Sequence, residues 1–161
     1  MKKNKKILVL ALSGIGDALM FTPALNFIKQ AEPDAIVDVL VMFKGVKDIY
    51  DRIGLANNVI FFDFMKEGAV KSLKFIFSLR NTYNYSINVY PSNRKEYNII
   101  SFLIGAKKRG AVEYLRCFNS EFGFLNNCRV KENDLLHNVE ENIKICEKLF
   151  DKKAETISPL I

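Results

Sequence analysis

The chain has 161 residues, 49% hydrophobic and 26% charged, which fits one soluble domain large enough to bury a substantial core. Its net charge of +6 points to an anionic partner or surface. The excess is scattered, in Lys2, Lys3, Lys5 and Lys6, in Arg94–Lys95 and in Lys107–Lys108–Arg109, and no basic stripe interleaved with aromatics supports a nucleic-acid reading.

Residues 7–12, Ile-Leu-Val-Leu-Ala-Leu, form an unbroken apolar run bounded by lysines and glycines, the pattern of a strand buried on both faces. A basic start before an apolar run imitates a signal peptide. The run is too short for a membrane span, however, and Asp17 closes it with a carboxylate. A glycine-rich turn leads into helical spacing over residues 17–31, where Pro23 has two readings. Either Thr22 caps a helix that starts at Pro23, or an earlier turn is kinked there. The spacing next predicts strands at 36–42, 59–62, 85–89 and 108–111, with helices at 46–53, 68–80 and 96–104 between them. An irregular stretch to about residue 133 and a last helix at 136–150 follow.

Strands alternating with helices mean an α/β fold, a Rossmann-like parallel sheet flanked by helices. In such sheets ligands sit beyond the carboxyl ends of the strands, so the loops after residues 12, 42, 62, 90 and 111 frame any site. Cys117, Cys128 and Cys146 fit neither zinc spacing nor a disulfide framework and read as reduced thiols of a cytoplasmic protein. No metal site is expected.

The first of those loops, Ser13-Gly14-Ile15-Gly16-Asp17, begins like a dinucleotide fingerprint and then departs from it. Leu19 stands where the third glycine belongs, and the second strand ends in Met42-Phe43-Lys44 without the acidic residue a ribose needs. No phosphate-binding P-loop is present. A helix N-terminus attracts anions, yet Asp17 already puts negative charge there and would repel a phosphate. The loop is better suited to hold a carboxylate facing the crevice, where a general base could take a proton from a hydroxyl. On the residues alone, helix capping by Asp17 is an equal alternative.

Tyr90-Pro91-Ser92-Asn93-Arg94 opens into the same crevice. Asn93 and Arg94 can donate to sugar hydroxyls or anionic groups, and a plain turn is the competing reading. Arg116, after the fifth strand, is a further candidate for an anionic acceptor, and Lys44 a weaker one. His137, the only histidine, reads as a helix cap or packing residue.

Four segments in order carry a family resemblance: residues 7–17 with Pro23-Ala24-Leu25, then Glu32-Pro33-Asp34-Ala35, then 103–110 (LIGAKKRG), then His137-Asn138-Val139-Glu140-Glu141-Asn142. Together they resemble glycosyltransferase family 9, the ADP-heptose:lipopolysaccharide heptosyltransferases. The resemblance implies the N-terminal, acceptor-binding half of a GT-B enzyme that performs an inverting, metal-independent transfer. Carried onto this chain, the catalytic base falls on Asp17, with Ser13, Gly14 and Gly16 shaping the loop that presents it.

It further implies a glycan or glycolipid acceptor such as a lipopolysaccharide core, and no cofactor. A nucleotide-sugar of the ADP-heptose type would be held by a separate donor domain. The family's enzymes are about twice as long, so residues 1–155 are expected to be the acceptor domain and 156–161 the start of a linker. The donor domain is then absent or supplied by a partner chain, and the isolated domain is expected to be inactive. Lys107–Lys108–Arg109 would sit at the wrong sheet edge for the crevice and are expected to form a solvated or membrane-facing patch at the inner face of the cytoplasmic membrane. The alternatives are a non-catalytic glycan-binding or subunit-docking module of the same fold, and an unrelated nucleotide-binding domain.

Overall fold

A computed structural model describes residues 4–91 and 94–154. The linker expected at 156–161 lies outside the described residues. Six strands, β1 (Lys6–Ala11), β2 (Ile36–Val41), β3 (Asn58–Phe61), β4 (Tyr85–Asn88), β5 (Lys108–Glu113) and β6 (Cys128–Lys131), form one sheet in the order β3-β2-β1-β4-β5-β6. Every pairing is parallel. The helices are α1 (Ile15–Ala31), α2 (Lys44–Ile53), α3 (Phe64–Ser78), α4 (Lys95–Ile104) and α5 (Asn138–Phe150). This is a Rossmann-like α/β fold. No helix among the described residues is long and apolar enough to cross a membrane.

The continuous apolar run of β1 is explained by its position. The strand lies near the middle of the sheet, and its side chains alternate between two cores. Ile7, Val9 and Ala11 pack under α1, α2 and α5, whereas Leu8, Leu10 and Leu12 pack under α3 and α4. Gly110 of β5 lets α5 lie close to the sheet, since a methyl group there would stand 2.9 Å from Ile145 Cγ2. Glu32, just past α1, accepts a hydrogen bond from Lys5 at 2.9 Å and pairs with Lys152 at 3.2 Å. It thereby joins three chain segments at the edge of the sheet opposite the crevice.

Several elements differ from the sequence expectations. α1 starts at Ile15 and runs through Pro23 to Ala31, so Thr22 caps nothing. Proline lacks the N–H that would bond the carbonyl of Leu19, and the Thr22 hydroxyl donates to that oxygen instead, at 2.8 Å. α3 starts at Phe64 rather than 68, because Asp63 accepts from the N–H groups of Met65 and Lys66 and Gly68 then breaks the helix at φ 74°. The stretch read as irregular contains β6, a four-residue edge strand. Arg109 does not belong to a solvated patch. Its guanidinium group donates to the carbonyls of Leu125 and Ala106 at 2.9 Å and lies over the Phe102 ring.

Candidate active site

The sheet order reverses between β1 and β4, and chain leaving their carboxyl ends diverges there to opposite faces. A crevice of about 310 Å³ opens at this switch point, lined by Ser13, Gly14, Asp17, Phe43, Pro91, Arg94 and Tyr97. The β1–α1 turn, the start of α2, the loop after β4 and the first turn of α4 all contribute to it.

Asp17 sits in the first turn of α1, half-buried, and makes no hydrogen bond or ion pair among the described residues. The residue at the N-cap is Gly14, and no side chain caps that helix. Ser13 Oγ is buried and likewise has no partner among the described residues. An unpaired buried hydroxyl costs free energy, which a bound ligand or water offsets.

Gly14 and Gly16 have open space where a Cβ would be, and neither has a positive φ. The backbone at this turn therefore does not need glycine for its own conformation. Glycine there leaves room above the turn.

Opposite Asp17, Arg94 occupies the N-cap of α4, and its side chain lines the same crevice. Tyr97, in the first turn of α4, donates from its hydroxyl to the Leu12 carbonyl at 2.9 Å. That bond ties α4 to the end of β1 and leaves the ring as a wall of the crevice. Burial raises the Tyr97 hydroxyl above the usual tyrosine range, with the Arg94 charge opposing the shift and the Asp17 charge adding to it.

The loop after β4 and the start of α4 are both held from behind. Asn142 of α5 grips Tyr90 from both sides, accepting its N–H and donating to its carbonyl, each at 2.8 Å. The Tyr90 hydroxyl donates to Glu132, and its ring stacks on Tyr114 at 5.5 Å. Burial, with Glu132 beside it, pushes the Tyr90 hydroxyl up to about 12. At the start of α4, Glu121 accepts the Lys95 N–H at 2.7 Å, and its carbonyl accepts from the Asn98 side chain at 2.7 Å.

Of the residues singled out from sequence, Ser13, Gly14, Asp17 and Arg94 meet in the crevice. Gly16 lies on the exposed first turn of α1, off the lining. Arg116 is exposed in the turn after β5 and does not line the crevice either. Asn93 lies outside the described residues. Lys44 is exposed at the start of α2.

His137 caps α5 in a reciprocal pair with Glu140, as its position suggested. Sequence reasoning missed Tyr97 and gave Phe43 no site role. The available signal was position alone: Phe43 is the N-cap of α2 and Tyr97 lies in the first turn of α4, both at the crevice edge, and Tyr97 also packs against the core.

No protein-family model matches the sequence, and no curated protein matches it at the sequence level. Solved structures do match. Escherichia coli heptosyltransferase WaaC with ADP-2-deoxy-2-fluoro heptose superposes with a TM-score of 0.78 at 18% identity, over 96% of this chain and 51% of that one. The fold is shared with the heptosyltransferases. WaaC with ADP gives 0.70 at 18% identity, over 94% of this chain and 49% of the other. A family 9 glycosyltransferase from Veillonella parvula gives 0.66 at 19% identity, over 99% and 46%. The chain thus spans about half the length of the heptosyltransferase-fold structures it matches.

Proposed function

We propose that this chain is the acceptor-binding half of a glycosyltransferase of the heptosyltransferase type, with Asp17 as the catalytic base. The observation that carries the proposal is a half-buried carboxylate, unpaired among the described residues, facing an open crevice at the switch point of the sheet. A carboxylate there disfavours phosphate and suits a hydroxyl.

An acceptor sugar lies in the crevice with one hydroxyl against Asp17. Its oxygen forms a bond to the anomeric carbon of the donor as the bond from that carbon to the nucleoside diphosphate breaks. The acceptor proton passes to the Asp17 carboxylate. A single displacement of this kind inverts the anomeric centre.

Ser13 Oγ can bond a second hydroxyl, Arg94 can bond an anionic substituent, and the Tyr97 ring offers an apolar surface to the sugar face. The nucleotide-sugar, of the ADP-heptose type, is held by a separate donor domain or partner chain. The acceptor is a lipopolysaccharide core or a related surface glycan.

Calorimetric titration separates this reading from its rivals. The 161-residue chain is expected to bind a phosphorylated inner-core oligosaccharide and to show no saturable binding of ADP-heptose. Tight nucleotide-sugar binding without acceptor binding overturns the assignment. Acceptor binding that survives in a chain joined to a donor domain without any turnover leaves only a glycan-binding module.

A further inference from the structure

α3 is the least buried of the five helices, with Ile76 its one buried residue. After the break at Gly68, Phe75, Ile76 and Leu79 turn inward onto the core beneath α3 and α4, and Phe75 stacks on Phe62 at 4.2 Å. The opposite face is also apolar. Val70, Leu73 and Phe77 are 69%, 44% and 47% exposed. At 100° per residue they fall within about 60° of arc, so they form one stripe pointing away from the protein.

A helix apolar on both faces is expected to be covered on both. Here the second face lies bare, and Met65, at the start of the same helix, is 76% exposed.

The charges around that stripe bear on the kind of surface it suits. Lys71, Lys74 and Arg80 flank it after the break at Gly68, with Lys71 paired to Glu67 at 2.9 Å. Lys74 lies one turn from Val70 on the same side, and Arg80 stands over the Phe77 ring at 5.4 Å. Cores of protein–protein interfaces are depleted in lysine. Lysines and arginines flanking Phe, Leu and Val are instead the composition of a helix lying in a lipid headgroup layer, where long side chains reach up to phosphates while the apolar stripe sinks below.

We propose that the outward face of α3 docks this protein on an anionic lipid bilayer. α3 follows the carboxyl end of β3, so its first turn lies at the crevice edge of the sheet. From sequence, Lys107–Lys108–Arg109 read as a solvated or membrane-facing patch, but Arg109 is turned into the fold and Lys107 and Lys108 stand at the opposite sheet edge. The docking surface does not depend on the catalytic reading of Asp17.

Co-sedimentation with vesicles tests it without any acceptor or donor. The chain is expected to bind vesicles of phosphatidylglycerol and phosphatidylethanolamine, to release them as salt rises, and to ignore phosphatidylcholine. The exposed triple change Val70→Ser, Leu73→Ser, Phe77→Ser should lower partitioning at least about tenfold. Lys74→Gln should lower it about fivefold. Lys107→Gln with Lys108→Gln should leave it unchanged, and circular dichroism confirms that each variant is folded.

Absence of binding by the parent chain overturns the proposal, as does equal binding by folded α3 variants. A concentration-dependent dimer that Phe77→Ser dissolves, with no vesicle binding, makes the face a protein interface and overturns it as well.

Discussion

Glu141 of α5 is fully buried, and the fold pairs only one of its oxygens: Oε1 accepts the Asn133 N–H at 2.6 Å while Oε2 has no partner among the described residues. Burial pushes this carboxyl above the usual glutamate value near 4.5, with Glu132 and Asp134 adding to the shift and the Asn133 bond and Lys144 opposing it. Between the unfolded value and the raised folded one, the folded state binds more protons at this site than the unfolded chain. Its stabilising contribution is complete below pH 4.5 and is lost as pH rises through the raised value.

Glu141→Gln keeps the acceptor for Asn133 and removes the titration. Thermal melts should show the variant gaining stability over the parent as pH rises above 4.5, with the two curves converging below it. At Gly16 the expectation splits stability from function. Alanine fits the open space in an exposed helical turn and should stabilise the fold by about 0.5–1 kcal/mol. Gly16 stands off the crevice lining, so acceptor affinity should stay unchanged while the melting temperature rises. Asp17 was legible in sequence because its charge contradicts the loop around it. Tyr97 was not, because a tyrosine in a helical pattern looks like core until the strand beside it is known.

The loop after β4 is held by an element more than fifty residues away. Asn142 bonds both backbone groups of Tyr90, so Asn142→Ala leaves a buried N–H and carbonyl unpaired. The loss should be about 1–3 kcal/mol by chemical denaturation, with weakened acceptor binding as the Pro91 and Arg94 wall loosens. His137 and Glu140 were readable as a helix start because capping is local. Asn142 could not be read the same way, since its partner depends on the packing of α5 against β5.

The strands followed a similar rule. β1 stood out as a continuous apolar run because both its faces are buried. β6 was invisible, as Cys-Arg-Val-Lys at a sheet edge is half exposed and carries no such run. α3 was placed from Gly68 onward because the sequence pattern gave no weight to Asp63 as a cap.

At the scale of the molecule, one parallel sheet and its switch point explain why a loop near residue 13 and a loop near residue 94 form a single crevice. The order β3-β2-β1-β4 brings the ends of β1 and β4 side by side, and the connecting helices leave on opposite faces. The basic excess of the chain is concentrated neither in the crevice nor at the 107–109 run, and the proposed docking face of α3 gives part of it a role. The chain matches about half of each heptosyltransferase-fold structure. With the function proposed above, its crevice takes one substrate and a second unit holds the other.

In the reaction proposed, Asp17 is the group assigned to take the acceptor proton, and removing its charge is the most direct test. Joined to a donor-binding half, the protein should transfer sugar, and Asp17→Asn should lower kcat by about 100- to 10,000-fold while acceptor Kd stays within about twofold. Turnover by the asparagine variant at the parent rate would contradict a catalytic role for this carboxylate.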